Sequence, residues 1–237
     1  MRLYPTKQWL EEYGRIIDES KAMDDVATGW GTSFNGDIRI DIEDLPLSET
    51  TLGDLPDDVL EGVPEAFRTK LLDLSLAEAP SSIDESIRAT LPERPRDLLT
   101  QLEEYVIDGT IYAYVGLESG NCTGVEVLDD PDKRDVGFEI SGSYGTWRQI
   151  VDGRPAASAI LSGDLHVEGS RPRQLQYFAV LQLLGDLAAE VETDHIFEKP
   201  SSSPSDVVVD NAVRQPVIFQ RFAHRQATLA SKTLNLL

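Results

Sequence analysis

The chain has 237 residues, with 21 basic and 42 acidic side chains and a net charge of −21. This sign of charge disfavours nucleic acid as a partner, because the phosphate backbone binds basic proteins. The single cysteine, Cys122, excludes a disulfide within the chain and is typical of a reducing compartment. The sequence shows no run of about 18 apolar residues and no secretory leader, so we expect a cytoplasmic protein.

The acidic residues are spread along the chain, and arginine outnumbers lysine by 15 to 6. This composition is typical of salt adaptation and predicts a protein of a halophilic archaeon. At about 1 M salt the Debye length is about 3 Å, so repulsion among the carboxylates is screened. The alternative is an acidic surface that binds a basic partner. Because acidic residues are so frequent, no carboxylate pair is assigned a catalytic role.

The first 42 residues predict one helix and one strand. Thr6 is a suitable N-cap for a helix with an apolar face, and the isoleucines at 38, 40 and 42 alternate with charged residues as in a strand. Residues 43–104 are acidic and interrupted by prolines, and they contain a clear helical pattern at 95–106. We interpret this region as a helical insertion, either a lid over a ligand entrance or a structural elaboration.

Three strands are predicted over residues 110–117, 122–128 and from 136, and their short links indicate an antiparallel meander. Ser143 then caps a short helix that carries Trp147, and a second short helix and a strand follow. A long helix is expected from Pro172 to about residue 191, with an apolar arc over half its circumference. This arc is wider than one packing surface needs, so the extra apolar surface would contact a ligand, the insertion or a second subunit, as in a homodimer. The alternative is that the insertion buries the helix more deeply.

Residues 199–237 differ from the rest of the chain. They carry five basic and two acidic residues, whereas residues 1–198 carry 16 basic and 40 acidic residues. The sequence Pro200-Ser-Ser-Ser-Pro204 has linker composition. We therefore predict a single domain over 1–198, followed by a basic tail. The tail is either disordered or foreign to the natural reading frame; the alternative is that it docks onto the domain.

An ordered set of residues in the second half of the chain resembles the sterol carrier protein family, of the second, non-specific lipid-transfer type. The set begins with Ser141-Gly142 at the end of a strand and Trp147 three residues before Ile150. It continues through the residues Gly153, Pro155, Ala159, Gly163, Leu165, Val167 and Gly169, and a long apolar helix follows. The resemblance covers residues 110–195 well and the first 42 residues loosely.

The resemblance implies an α+β fold, with a mostly antiparallel sheet of about five strands and helices on one face. It also implies an apolar tunnel between the two layers that holds a sterol, a fatty acid or an acyl thioester without covalent chemistry. Since archaea largely lack sterols, an isoprenoid or acyl chain is the expected ligand. The candidate lining residues are Phe138, Ile140, Trp147, Ile150, Ile160, Leu165, Val167, Phe178, Leu181 and Leu184.

The sequence supports no catalytic, metal or cofactor site. Phosphate-binding, dinucleotide-binding and metalloprotease motifs are missing, and the three histidines share no metal-ligand spacing. Ser141 and Ser143 are interpreted as a strand end and a helix cap, His166 as a surface residue, and His195 as support for the end of the long helix. An enzyme acting on a thioester is therefore not favoured. An interaction module, whose apolar helix face and acidic insertion bind a partner subunit, remains the alternative to lipid binding.

Overall fold

The computed structural model describes residues 2–56, 59–63 and 71–197, which belong to one compact unit. The strands are β1 Arg2–Tyr4, β2 Ile38–Glu43, β3 Val106–Ile107, β4 Thr110–Glu118, β5 Asn121–Leu128, β6 Phe138–Ser143, β7 Leu165–Gly169 and β8 Thr193–His195. The α-helices are α1 Lys7–Asp18, α2 Lys21–Val26, α3 Ala79–Ser82, α4 Glu85–Arg88, α5 Glu93–Tyr105, α6 Tyr144–Val151, α7 Ala156–Ser162, α8 Arg171–Gln176 and α9 Phe178–Ala188.

Within the described residues, the main sheet has six strands. β2 lies at its centre, between β4 and β6, and β7 borders β6. β5 and β3 both pair with the other edge of β4. Only β2 and β6 run parallel, so the sheet is mostly antiparallel, while β1 and β8 form a separate parallel pair. The predicted α+β fold is confirmed, with one strand more than the expected five in this sheet.

The predicted meander of three consecutive strands is wrong. β6 pairs with β2 and β7 rather than with β5, and its register sets Ile38 opposite Phe138 and Ile40 opposite Ile140. The link from β5 to β6 must cross three strand spacings, about 14 Å, which its nine residues span when extended. It crosses over β2, where the Arg39 guanidinium donates to the Pro131 carbonyl at 3.3 Å.

The first helix begins as predicted. The Thr6 hydroxyl accepts a hydrogen bond from the Trp9 amide at 3.4 Å and donates to the Leu3 carbonyl at 2.6 Å. The helix then buries Trp9, Leu10 and Tyr13 against the sheet and α9. Ser143 likewise caps α6, because its hydroxyl accepts from the Thr146 amide at 3.3 Å. Both caps satisfy amide groups that the first turn of a helix leaves free.

The long helix expected from residue 172 to 191 is divided into α8 and α9. The break lies at Tyr177, whose backbone angles (φ −111°, ψ 26°) are not helical. Its ring makes an edge contact with Trp30, with centroids 5.3 Å apart. Leu175 in α8 lies on the polar side of the predicted helix and is 80% exposed.

The segment between β2 and β3 packs onto the rest of the molecule. It contains a short 3₁₀ helix, Leu52–Asp54, together with α3, α4 and α5. Leu98, Leu99 and Leu102 of α5 are buried in the same hydrophobic core as the sheet and α1. The helix predicted at 95–106 is therefore present, while residues 57–58, residues 64–70 and the tail lie outside the described residues.

One end of the core is filled by aromatic rings, which we call the Trp30 cluster: Trp30, Phe34, Phe138 and Tyr177. Trp30 is fully buried, stacks on Phe138 with centroids 4.8 Å apart, and donates its indole N–H to the Gly36 carbonyl at 2.7 Å. The Arg173 guanidinium lies 3.9 Å from the centre of the Phe34 ring and covers the cluster. This end of the sheet is closed by tight packing.

Candidate ligand cavity

The opposite end of the core encloses an apolar cavity between the sheet and the helices. The volume of the cavity is about 50 Å³. A water molecule needs at least about 10–15 Å³ by this measure. The cavity is thus a real void in the packing, narrow in the state described.

The sheet forms the floor of the cavity. Ile40 and Ile42 of β2 occupy the centre, next to Ile140 of β6. The floor is completed by Ile111, Ala113, Val127 and Leu165. These positions share one face of the sheet because side chains alternate along each strand and paired residues point the same way. The regular spacing of apolar residues on the strands therefore produces a continuous apolar floor.

Four helices form the walls. α1 contacts α9, α7 packs against β7, and α6 packs against β6 and β2. The helical lining residues are Trp9, Leu10, Tyr13, Trp147, Val151, Ala156, Ile160, Leu181, Leu184, Gly185 and Ala188. Tyr4, Pro5 and Thr6 close the end where the chain enters α1. The lining thus comes from both halves of the chain.

The polar groups of three aromatic lining residues are engaged within the protein. The Tyr13 hydroxyl donates to the Leu184 carbonyl at 2.9 Å, and the Trp147 indole donates to the Asp41 carbonyl at 3.0 Å. The Trp9 indole donates to the Thr193 hydroxyl at 2.8 Å. Burial raises the pKa of Tyr13 well above its usual value, so the phenol stays neutral. These groups turn their apolar ring surfaces toward the cavity.

Ile40 shows the incomplete packing most directly. Ile38 and Ile42 lie on the same face of β2 and are 0% and 4% exposed, whereas Ile40 between them is only half-buried. Its strand is central in the sheet, and its partners Ala113 and Ile140 are both buried. A central apolar residue with accessible surface faces an interior space that no side chain fills.

Six of the ten candidate residues from the sequence meet at this cavity: Ile140, Trp147, Ile160, Leu165, Leu181 and Leu184. The other four lie elsewhere. Phe138 belongs to the Trp30 cluster, and Ile150 is fully buried beneath α9, close to Gly185. Val167 and Phe178 are half-buried and lie outside the cavity lining. The structure therefore separates the candidates into a cavity group and a packing group.

The sequence interpretation missed the lining that comes from outside residues 136–195. Trp9, Leu10 and Tyr13 lie on the recognised apolar face of α1, and Ile40 and Ile42 lie on the recognised strand. Their periodicity showed that they are buried but not which space they border. Pairing of β2 with both β4 and β6 places the two isoleucines at the cavity, and packing of α1 against β5 and α9 places its three residues there. Neither the pairing nor the packing has a local signal in the sequence.

The residues considered for chemistry do not form a reactive site. His166 is exposed and pairs with Ser141 on the sheet face away from the cavity, since Ile140 and Leu165 face inward. His195 follows the long helix and lies in β8, where its Nε2 is 3.0 Å from an Asp152 carboxylate oxygen, so its partner is at the end of α6 and not of α9 as expected. Among the described residues, no cluster of metal-ligating side chains occurs.

Comparisons with known proteins give a partial likeness in fold. No family model matches the chain, and no curated protein matches it either. A crystal structure of sterol carrier protein 2 aligns with a TM-score of 0.47 and 16% identity, over 78% of this chain and 97% of that one.

A conserved hypothetical protein of Thermus thermophilus, which has been suggested to be a sterol carrier protein, aligns with a TM-score of 0.46 and 17% identity. That alignment covers 84% of this chain and 92% of the other. In the part of the chain that the structure describes, no helix is long and apolar enough to cross a membrane.

Proposed function

We propose that this protein binds a hydrophobic lipid ligand in the cavity between sheet and helices and carries it without catalysing a reaction. The ligand class is a flexible acyl or isoprenoid chain, or a sterol-like molecule of similar width. Binding is non-covalent and draws on the burial of apolar surface, at about 25 cal/mol per Å². We place this activity in a salt-adapted, cytoplasmic setting, as the composition predicts.

The observation that carries the proposal is the apolar cavity beside half-buried Ile40. An ordinary core leaves few voids larger than a water molecule, because side chains interdigitate. Here a void persists although bulky residues such as Trp9 and Trp147 line it. The cavity also lies in the layer where the resemblance to sterol carrier proteins implies a ligand.

The size of the cavity defines how binding must occur. Pockets for small molecules usually measure about 300–1,000 Å³, far more than the 50 Å³ that is freely open here. A ligand must therefore displace side chains or move α1 and α9 apart as it enters. A flexible single chain meets this requirement more easily than a rigid ring system, which favours acyl and isoprenoid chains.

Native mass spectrometry and titration with a fluorescent fatty acid test the proposal. We expect co-purified apolar mass, or binding with a dissociation constant near 1 µM, equivalent to about −8 kcal/mol. Leu184→Glu should abolish binding, because it places a carboxylate in the apolar lining. Leu175→Glu is the matched control: the same change on an 80% exposed leucine should leave binding intact.

Melting curves of both variants separate lost binding from lost folding. A folded wild-type protein that binds no acyl chain, isoprenoid or sterol at tens of micromolar would contradict the proposal. The interaction module would then be the remaining hypothesis, and it predicts a protein partner instead of a lipid.

A further inference from the structure

A second, smaller cavity adjoins the lipid cavity on the side of α5. Its lining includes four residues that also line the main cavity: Pro5, Thr6, Ile111 and Val127. The rest of its lining is Leu98, Gln101, Leu102, Tyr105, Ile196 and Phe197. The two spaces therefore lie on either side of the turn at Pro5 and Thr6. We call the second space the α5 mouth.

The α5 mouth is polar on one side only. Gln101 and Tyr105 are half-buried, whereas the other residues that line it are buried. The Gln101 side chain joins α5 to the start of α1. Its Oε1 accepts from the Lys7 backbone amide at 2.8 Å, and its Nε2 donates to the Gln8 side-chain Oε1 at 3.1 Å. Both hydrogen bonds are exposed to solvent. They form a latch between two helices at the rim of the mouth.

We propose that the lipid enters and leaves through the α5 mouth, and that its polar end stays there while its chain occupies the main cavity. This inference rests on the proposed function. The phenol of Tyr13 and the indoles of Trp9 and Trp147 already make hydrogen bonds within the protein, so these three groups do not bind the polar end of a ligand. The amide of Gln101 and the hydroxyl of Tyr105 are at the rim.

The latch can open at little cost in free energy, because water can replace both of its hydrogen bonds. An exposed hydrogen bond adds little net free energy, since opening exchanges it for bonds to solvent. Leu98 and Leu99 of the same helix remain buried in the core. Separation of Gln101 from Lys7 and Gln8 therefore opens the rim without removing the whole helix from its packing.

A covalent tether across the latch tests the route. Gln8→Cys and Gln101→Cys are introduced together in a Cys122→Ser background and joined by a short bismaleimide. Uptake of the fluorescent fatty acid cis-parinaric acid is then followed by stopped flow at high salt. We expect uptake to slow at least tenfold after tethering, and protein loaded before tethering to retain the probe.

A matched tether provides the control. Gln149 and Ser162 both accept hydrogen bonds from the Arg154 guanidinium, at 3.0 and 3.1 Å, so Gln149→Cys and Ser162→Cys lie within reach of the same linker. This tether joins α6 to α7 and leaves α5 free. If it slows uptake as much as the latch tether does, or if the latch tether has no effect, the α5 route is wrong while lipid binding stands. Failure of the untethered protein to bind the probe would instead overturn both proposals.

A single substitution gives an independent measurement. Gln101→Ala removes both latch hydrogen bonds and should speed uptake by about threefold to tenfold, whereas Gln149→Ala, an exposed glutamine outside both cavities, should leave the rate unchanged. An unchanged rate in Gln101→Ala would contradict the latch.

Discussion

The two ends of the core are built on the same strands but are packed differently. At one end Ile38 of β2 and Phe138 of β6 lie under the Trp30 cluster, and Ile38, Phe138 and Trp30 are at most 1% exposed. At the other end Ile40 and Ile140 lie under α1 and α9, and Ile40 keeps accessible surface. A shift of two residues along each strand therefore separates a filled core from an open one.

The open end does not result from loosely placed helices. A Cβ atom at Gly185 would lie 2.6 Å from the Ala156 Cβ, so α9 and α7 are in close contact there. The space arises instead from small residues that line it, such as Ala113 and Ala188, set among large ones. Because one larger side chain would close such a space, residue choice contributes to the difference between the two ends.

The largest effect is expected at the filled end. Trp30→Ala should lower the free energy of unfolding by about 3–5 kcal/mol, because it removes a fully buried ring and leaves a cavity. Denaturant titration measures this loss. Trp147→Phe at the cavity end should cost only about 1–2 kcal/mol, for the hydrogen bond to the Asp41 carbonyl. Equal losses in these two variants would remove the proposed distinction between the ends.

Salt should stabilise the protein through its whole charged surface and not through one end of the core. The net charge of −21 favours expansion in dilute buffer, and salt screens this repulsion. We expect the free energy of unfolding to rise by a few kcal/mol between 0.1 and 3 M KCl. Each kcal/mol corresponds to about 2–4 °C in melting temperature. The difference between Trp30→Ala and wild type should stay constant as salt rises. A melting temperature that does not change with salt would contradict salt adaptation and favour an acidic surface for a basic partner.

Filling the cavity should separate stability from binding. Ala113→Leu adds apolar volume over the floor, so we expect about 0.5–2 kcal/mol of added stability together with loss of lipid binding. Urea titration and fatty-acid titration on the same sample measure the two quantities. A variant that gains stability and still binds lipid would show that the ligand occupies another place.

The sequence predicted well what depends on local pattern. The caps at Thr6 and Ser143, the helix over 95–106 and the inward face of Ile38, Ile40 and Ile42 all follow from spacing and side-chain chemistry. The break at Tyr177 and the pairing of β6 with β2 were missed. Both depend on contacts between distant residues, such as the ring of Tyr177 against Trp30, which the order of residues does not reveal.

The same limit applies to the cavity. Leu181 and Leu184 were chosen from the apolar arc of one helix, and both border the cavity. Phe138 was chosen from the alternation along a strand and Ile150 from the apolar face of a short helix, but both fill the core. Periodicity reports that a side chain is buried, whereas a cavity is defined by the volumes of all its neighbours at once.

The smallest expected effect depends on pH and involves Tyr13. Burial raises the pKa of this phenol above the value of about 10 that an unfolded chain shows, so the folded state keeps its proton when the unfolded state loses it. The resulting stability is complete below about pH 10 and is lost as the pH rises above that value. Tyr13→Phe should reduce this alkaline loss.

At neutral pH the same variant should cost only about 0.5–1.5 kcal/mol, for the hydrogen bond to the Leu184 carbonyl. Burial also raises the pKa of Tyr4, so the variant should still lose some stability at alkaline pH. Urea midpoints at pH 7 and pH 11 measure both effects. If Tyr13→Phe loses as much stability as wild type between these pH values, water reaches Tyr13 and the cavity is wetter than its lining indicates.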